Sequence, residues 1–167
     1  MSQEQTGRIR VVVDTNVLVD AIFHEDTDCA DLFKYKHDGE IAFCMNQRTY
    51  QEAFRIFLRT IEEIEKRAKS KDIKYSARQV DSLFYKLSNA LWEIQKIEGK
   101  TRVNYCSDPD DNKFIDCCID GNIKYLVSSD EHLLSLKNNK DIKKYGIEVM
   151  TPKEFSLELL RLKFSKN

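Results

Sequence analysis

Apolar positions recur along this chain in two rhythms. Ile9–Val13 reads as a short, almost wholly apolar strand of the kind buried on both faces of a parallel sheet. Apolar runs at 41–44, 125–127 and 147–149 predict three more strands, and 102–104 a weaker one. Between them the period changes to that of helices. Residues 29–35 predict a helix that Thr27 or Asp28 opens and Asp38-Gly39 closes. Asn46 caps a long helix, because Tyr50, Ala53, Phe54, Phe57, Leu58, Ile61 and Ile64 follow at three- and four-residue spacing. Ser76-Ala77-Arg78-Gln79 has the form of a capping box and opens a second amphipathic helix through Val80, Leu83, Phe84, Leu87, Leu91, Trp92 and Ile94. Asp108-Pro109 starts a helix that runs to Gly121, with proline at its first position. A short helix is expected over 131–136, and Thr151-Pro152 caps a closing helix that buries Phe155, Leu157 and Leu160.

Strand and helix alternate throughout. The expected architecture is α/β: three layers, a central and mostly parallel sheet of about five strands, and helices on both faces. Two central helices without an intervening strand form a long hairpin over about 47–98. No internal repeat and no second domain stand out, so residues 1–167 are expected to form one domain.

Composition narrows the class. Of 167 residues, 41% are hydrophobic, enough for a core, and the five glycines and two prolines argue against a long linker. No apolar run reaches the length of a membrane span, and Met1-Ser2-Gln3-Glu4-Gln5-Thr6 lacks a signal-peptide core, so no membrane partner is expected. Five cysteines in no zinc spacing read as reduced thiols of a cytoplasmic protein, with Cys44, Cys117 and Cys118 as core fillers. A net charge of −1 leaves nucleic-acid binding to local basic patches.

Candidate chemistry gathers at the carboxyl ends of the expected strands, where open α/β sheets bind ligands. Asp14 ends the first strand, Glu52 lies one turn past the Asn46 cap, Asp108, Asp110 and Asp111 follow the weak strand, and Asp130 follows Tyr125-Leu126-Val127. Carboxylates delivered to one rim repel each other unless a cation balances them, and Mg2+ or Mn2+ suits an all-oxygen donor set. Such an ion, with water left on it, serves phosphodiester hydrolysis. Plainer roles compete. Asp108 suits an N-cap, Asp110 a partner for the helix dipole, Asp130 a cap for the next helix, and Asn16 a brace for its turn. Thr15 and Ser128 either orient a carboxylate or bond the backbone. Asp14, behind three valines, is the hardest to place on a surface.

Val11-Val12-Val13-Asp14-Thr15-Asn16-Val17-Leu18-Val19 resembles the first motif of PIN domains, and Asp108-Pro109-Asp110-Asp111-Asn112-Lys113-Phe114-Ile115-Asp116 the third motif of one PIN subgroup. That subgroup is commonly labelled the toxin component of prokaryotic toxin–antitoxin systems. Tyr125-Leu126-Val127-Ser128-Ser129-Asp130-Glu131-His132-Leu133-Leu134 and Val149-Met150-Thr151-Pro152-Lys153-Glu154-Phe155 are similar to its later segments. The resemblance implies a metal-dependent nuclease, mostly acting on RNA, in which Asp14, Glu52, Asp111 and Asp130 hold the ion. Asp116 is also acidic in the subgroup, but five helical steps turn it away from Asp111. The long hairpin and Asp20 depart from the family pattern. A toxin role implies an antitoxin encoded next door, and PIN toxins commonly dimerise. Phe84, Leu91 and Trp92 could serve such contacts or pack on the domain's own core.

For RNA, residues 64–78 carry six basic and two acidic side chains beside Tyr75, either a guiding patch or a solvated hairpin tip. Arg48, Arg55 and Lys113 are the phosphate candidates nearest the rim. His24, His37 and His132 are scattered in sequence, which gives no support to a histidine mechanism. The leading expectation is a Mg2+- or Mn2+-dependent endoribonuclease. A haloacid-dehalogenase-like phosphatase would need Asp-x-Asp where this chain has Asp14-Thr15-Asn16. A catalytically silent PIN module that binds RNA or protein is the third possibility.

Overall fold

A computed structural model describes residues 7–24, 26–70 and 77–165. Five parallel strands, β1 (Ile9–Val13), β2 (Ile41–Asn46), β3 (Gln95–Ile97), β4 (Tyr125–Val127) and β5 (Glu148–Met150), form one sheet in the order β3-β2-β1-β4-β5. The chain builds outward from β1 to β3, then returns to the other side for β4 and β5. The order therefore reverses between β1 and β4. The register Val11↔Tyr125, Val12↔Leu126, Val13↔Val127 brings the ends of those two strands level.

Side-chain alternation sorts the helices into two layers. Val11, Val13, Phe43, Tyr125 and Val127 pack on one face with α1 (Thr15–Phe23), α2 (Thr27–His37), α3 (Gln47–Ser70), α4 (Ala77–Leu91) and α8 (Pro152–Phe164). Val12, Cys44, Leu126 and Val149 pack on the other with α5 (Asn112–Gly121), α6 (Glu131–Leu134) and α7 (Lys140–Lys144). All five cysteines are free thiols buried in these layers. Among the described residues no helix is long and apolar enough to cross a membrane.

The expected caps hold at both ends of the chain. Asn46 Oδ1 accepts the Thr49 N–H at 3.0 Å, and Thr49 Oγ1 accepts the Asn46 N–H at 3.1 Å. Thr151 and Glu154 form a reciprocal capping box. Asp26, not Thr27 or Asp28, caps α2, its side chain accepting the Cys29 N–H. Ser76, the first residue of the expected box before α4, lies outside the described residues. So does part of the basic stretch over 64–78, and the Phe84 side chain.

Several expectations are corrected. Pro109–Asp111 is a 3-10 turn, and the α-helix begins only at Asn112. The helix after Asp130 ends at Leu134 and tightens into a 3-10 turn, and α7 follows it unforeseen. In α8 the buried residues are Pro152, Phe155 and Leu159, whereas Leu157 and Leu160 are exposed. On α3 Ala53 and Phe57 face the core, but Tyr50, Phe54 and Leu58 form an exposed row.

The third strand lies at 95–97, and residues 102–104 are not a strand. Their segment is nevertheless extended and held at one edge by a helix. Asp120 accepts the Thr101 N–H at 3.0 Å, Asp116 the Val103 N–H at 2.8 Å, and Asn112 the Tyr105 N–H at 2.8 Å. Four helical residues advance about 6 Å and two extended residues about 6.6 Å, so side chains at 112, 116 and 120 match the alternate N–H groups of a neighbouring strand. Asn112 Nδ2 also donates to Pro109 O at 3.1 Å, tying this strap to the turn that ends in Asp111.

Candidate active site

The strand order reverses where β1 and β4 end, the position at which such sheets leave a crevice. Asp14 caps α1 there. Its backbone N–H continues the sheet by donating to Val127 O at 2.9 Å, which pins the side chain in the crevice. Asp14 is only 3% exposed. Oδ2 accepts the Ser128 hydroxyl at 2.7 Å and Oδ1 the Asn16 N–H at 3.3 Å. Burial pushes Asp14 up to about 6, against these two hydrogen bonds, and the charges of Glu52 and Asp130 push the same way.

Ser128 joins two of the acids. Besides donating to Asp14, its oxygen accepts the Asp130 N–H at 2.9 Å. Asp130 in turn caps α6, with Oδ1 accepting the His132 N–H at 2.7 Å and the Leu133 N–H at 3.3 Å. Asp130 Oδ2 has no hydrogen bond among the described residues.

Asp111 ends the 3-10 turn and makes no capping bond. Burial is the largest influence on it, followed by the charges of Asp14, Asp130 and Asp108, and together they push it up to about 6. Lys113 acts in the opposite direction. That lysine is buried, ion-paired with Glu52 of α3, and donates to Asp110 O at 2.7 Å. It also sits 4.8 Å from the centre of the Phe114 ring. Lys113 is thus an internal counter-ion of the acidic rim rather than a free phosphate ligand.

The remaining candidates separate clearly. Asp108 caps the 3-10 turn by accepting the Asp110 N–H at 2.9 Å. Asp116 is fully buried and receives both the Val103 N–H and Arg48 Nη1, the latter at 2.8 Å, so the two residues brace α3 against the strap. Thr15 is buried with no hydrogen bond to an acid among the described residues. Asn16 and Arg55 are exposed, and Arg55 has no ion-pair partner among the described residues.

Among the described residues, no three His, Cys, Asp or Glu side chains stand ready around one point as a metal cage. The donors nevertheless fit a hard divalent cation. They are all carboxylates, two are raised by crowding and burial, and Asp111 has no bonded partner to give up. The sequence missed the Glu52–Lys113 pair, whose members lie on separate helices with no signal linking them.

Among solved structures, the chain is similar to a chain of VapBC2 from Rickettsia felis, solved bound to a DNA fragment from their promoter. The TM-score is 0.52 at 11% identity, over 86% of this chain and 98% of that one. At that identity the likeness is one of fold. No curated protein matches the chain. The PIN domain family model matches residues 10–132, well over half of the 167. The motifs at 11–19 and 108–116 lie within that match, the segment at 149–155 lies beyond it, and the chain belongs to the PIN domain family.

Proposed function

We propose that this chain is a divalent-metal-dependent endoribonuclease of the toxin type, acting as one nuclease domain in the cytoplasm. The carrying observation is that acids from four separate segments meet at the β1–β4 crevice: the charges of Glu52 and Asp130 act on Asp14, and those of Asp14 and Asp130 act on Asp111. Asp14, Asp111 and Asp130 would hold Mg2+ or Mn2+, with Glu52 reaching it directly or through water. When bound, the ion supplies charge neutralisation and water activation. The chain's own groups do the rest. Ser128 fixes Asp14 and Asp130 relative to each other. Lys113 keeps Glu52 in place and tempers repulsion around Asp111. Arg55 is the exposed cation suited to a phosphate of the RNA, since Arg48 and Lys113 are engaged internally.

Five free thiols suit a reducing compartment. The similarity to a VapBC chain favours an antitoxin partner. Trp92, 69% exposed beyond α4, is available for that contact or for a second copy, whereas Leu91 packs against the chain's own core.

The test is cleavage of several RNAs with Mg2+, with Mn2+ and with chelator, for the natural chain and Asp14→Asn. Cleavage that needs the ion and disappears in Asp14→Asn supports the proposal. Binding without cleavage across all RNAs replaces it with a silent RNA-binding module. Release of phosphate from para-nitrophenyl phosphate would favour the phosphatase reading.

A further inference from the structure

Beside Asp130 the rim opens into a depression of about 530 Å³, lined by Asn16, Asp20 and His24 on one side and Asp130, Glu131 and His132 on the other. Positions 16, 20 and 24 share one face of α1. The two histidines, distant in sequence, meet the same space. Each ring is held at one nitrogen: His24 Nδ1 lies 2.8 Å from Asp20 Oδ1, and His132 Nδ1 lies 2.8 Å from Ser107 Oγ. The exposed Glu131 carboxylate has no ion-pair or hydrogen-bond partner among the described residues.

Resting on the ribonuclease reading above, we propose that this depression is a base-reading subsite that receives a guanine of the RNA beside the reacting phosphate. Three carboxylates line it, so a phosphate would be repelled, whereas a neutral base is accepted. Imidazole rings offer stacking faces to an unstacked base. A carboxylate presents two acceptors side by side. Guanine alone among the four bases presents two adjacent donors, N1–H and the N2 amino group, on its Watson–Crick edge. Adenine and cytosine set an acceptor beside their donor, and uracil flanks its single N–H with two carbonyls. Glu131 is the acceptor for that pair, and the exposed Asn16 amide is placed to donate to O6.

The experiment uses the full chain, which has only three histidines, so the ring signals of His24, His132 and the remote His37 are separable by NMR. The probes are guanosine, inosine, adenosine, cytidine and uridine in chelator. Guanosine is expected to shift His24 and His132 but not His37, and to bind about tenfold tighter than inosine, which lacks the N2 amino group. Glu131→Gln is expected to erase that advantage while the protein stays folded. Equal shifts with all five nucleosides, no shift at His24 and His132, or an intact guanosine preference in Glu131→Gln would overturn the proposal. The two readings fail separately. RNA cleavage without preference for guanine removes the subsite and leaves the nuclease, whereas guanosine selectivity in a chain that cleaves no RNA removes the nuclease and leaves the subsite.

Discussion

The Ser128 hydroxyl donates to Asp14 Oδ2 across 2.7 Å, at the level where β1 and β4 end side by side. Because the same oxygen accepts the Asp130 N–H, one buried group sets the spacing of two acids. Ser128→Ala leaves that N–H without its acceptor and Asp14 without a bond that favours its charge. A stability loss of about 1–2 kcal/mol is expected. The Asp14 pKa rises further, so the acid limb of the pH–cleavage profile moves to higher pH. Urea unfolding and cleavage rates across pH 5–8 check both.

Asp14 has a folded pKa of about 6 against an ordinary value of 3.8. The folded state therefore holds its proton more tightly than the unfolded chain does. The stability this confers is complete below pH 3.8 and is lost as pH rises through about 6. In chelator at pH 7, Asp14→Asn is expected to be more stable than the natural chain by about 1–3 kcal/mol. The advantage shrinks toward pH 4. A thermal-melt series at several pH values decides, and a destabilised Asp14→Asn at pH 7 would contradict the burial penalty.

If the chain binds the ion as proposed, metal and protons compete for Asp14 and Asp111, both raised to about 6. Cleavage is expected to climb through pH 6 and to shift toward lower pH as Mg2+ concentration rises. A midpoint independent of Mg2+ would separate the acids from ion binding.

Removing Lys113 takes away the ion-pair partner of Glu52 and withdraws a cation that lowers Asp111. Lys113→Met should cost about 2–4 kcal/mol in chelator. Added Mg2+ should recover more stability in this variant than in the natural chain. Denaturation midpoints with and without the ion give the comparison.

Asp116 serves the strap and Arg48, not the acidic rim. Asp116→Ala is expected to lose about 2–4 kcal/mol and to speed hydrogen exchange at Val103. Cleavage per folded molecule should fall less than tenfold, far less than in Asp14→Asn. Equal losses in the two variants would place Asp116 at the chemistry.

The sequence shows a buried apolar strand before Asp14 because the residues of a central parallel strand are apolar on both faces. The caps at Asn46 and Thr151 are legible because capping is local. Gln95–Ile97 escaped notice since an edge strand need not be apolar. Residues 102–104 misled for a related reason: they are extended, but their partners are side chains of α5 rather than a strand. Tyr50, Phe54 and Leu58 match helical periodicity as well as Ala53 and Phe57 do, and only the packing of α3 tells which row is covered. The acids could be assigned to one rim from topology, but not the counter-ion among them. His24 and His132 meet only through the return of β4 beside β1.

The position of β4 between β1 and β5 also fixes when the crevice can exist. During synthesis, β1, β2 and the hairpin leave the ribosome long before residues 125–130 do. Until then Asp14 has neither Ser128 nor Asp130 beside it, and β1 keeps an unpaired edge. A growing chain thus cannot assemble the crevice until its fourth strand is made, because the last of the four candidate carboxylates follows that strand.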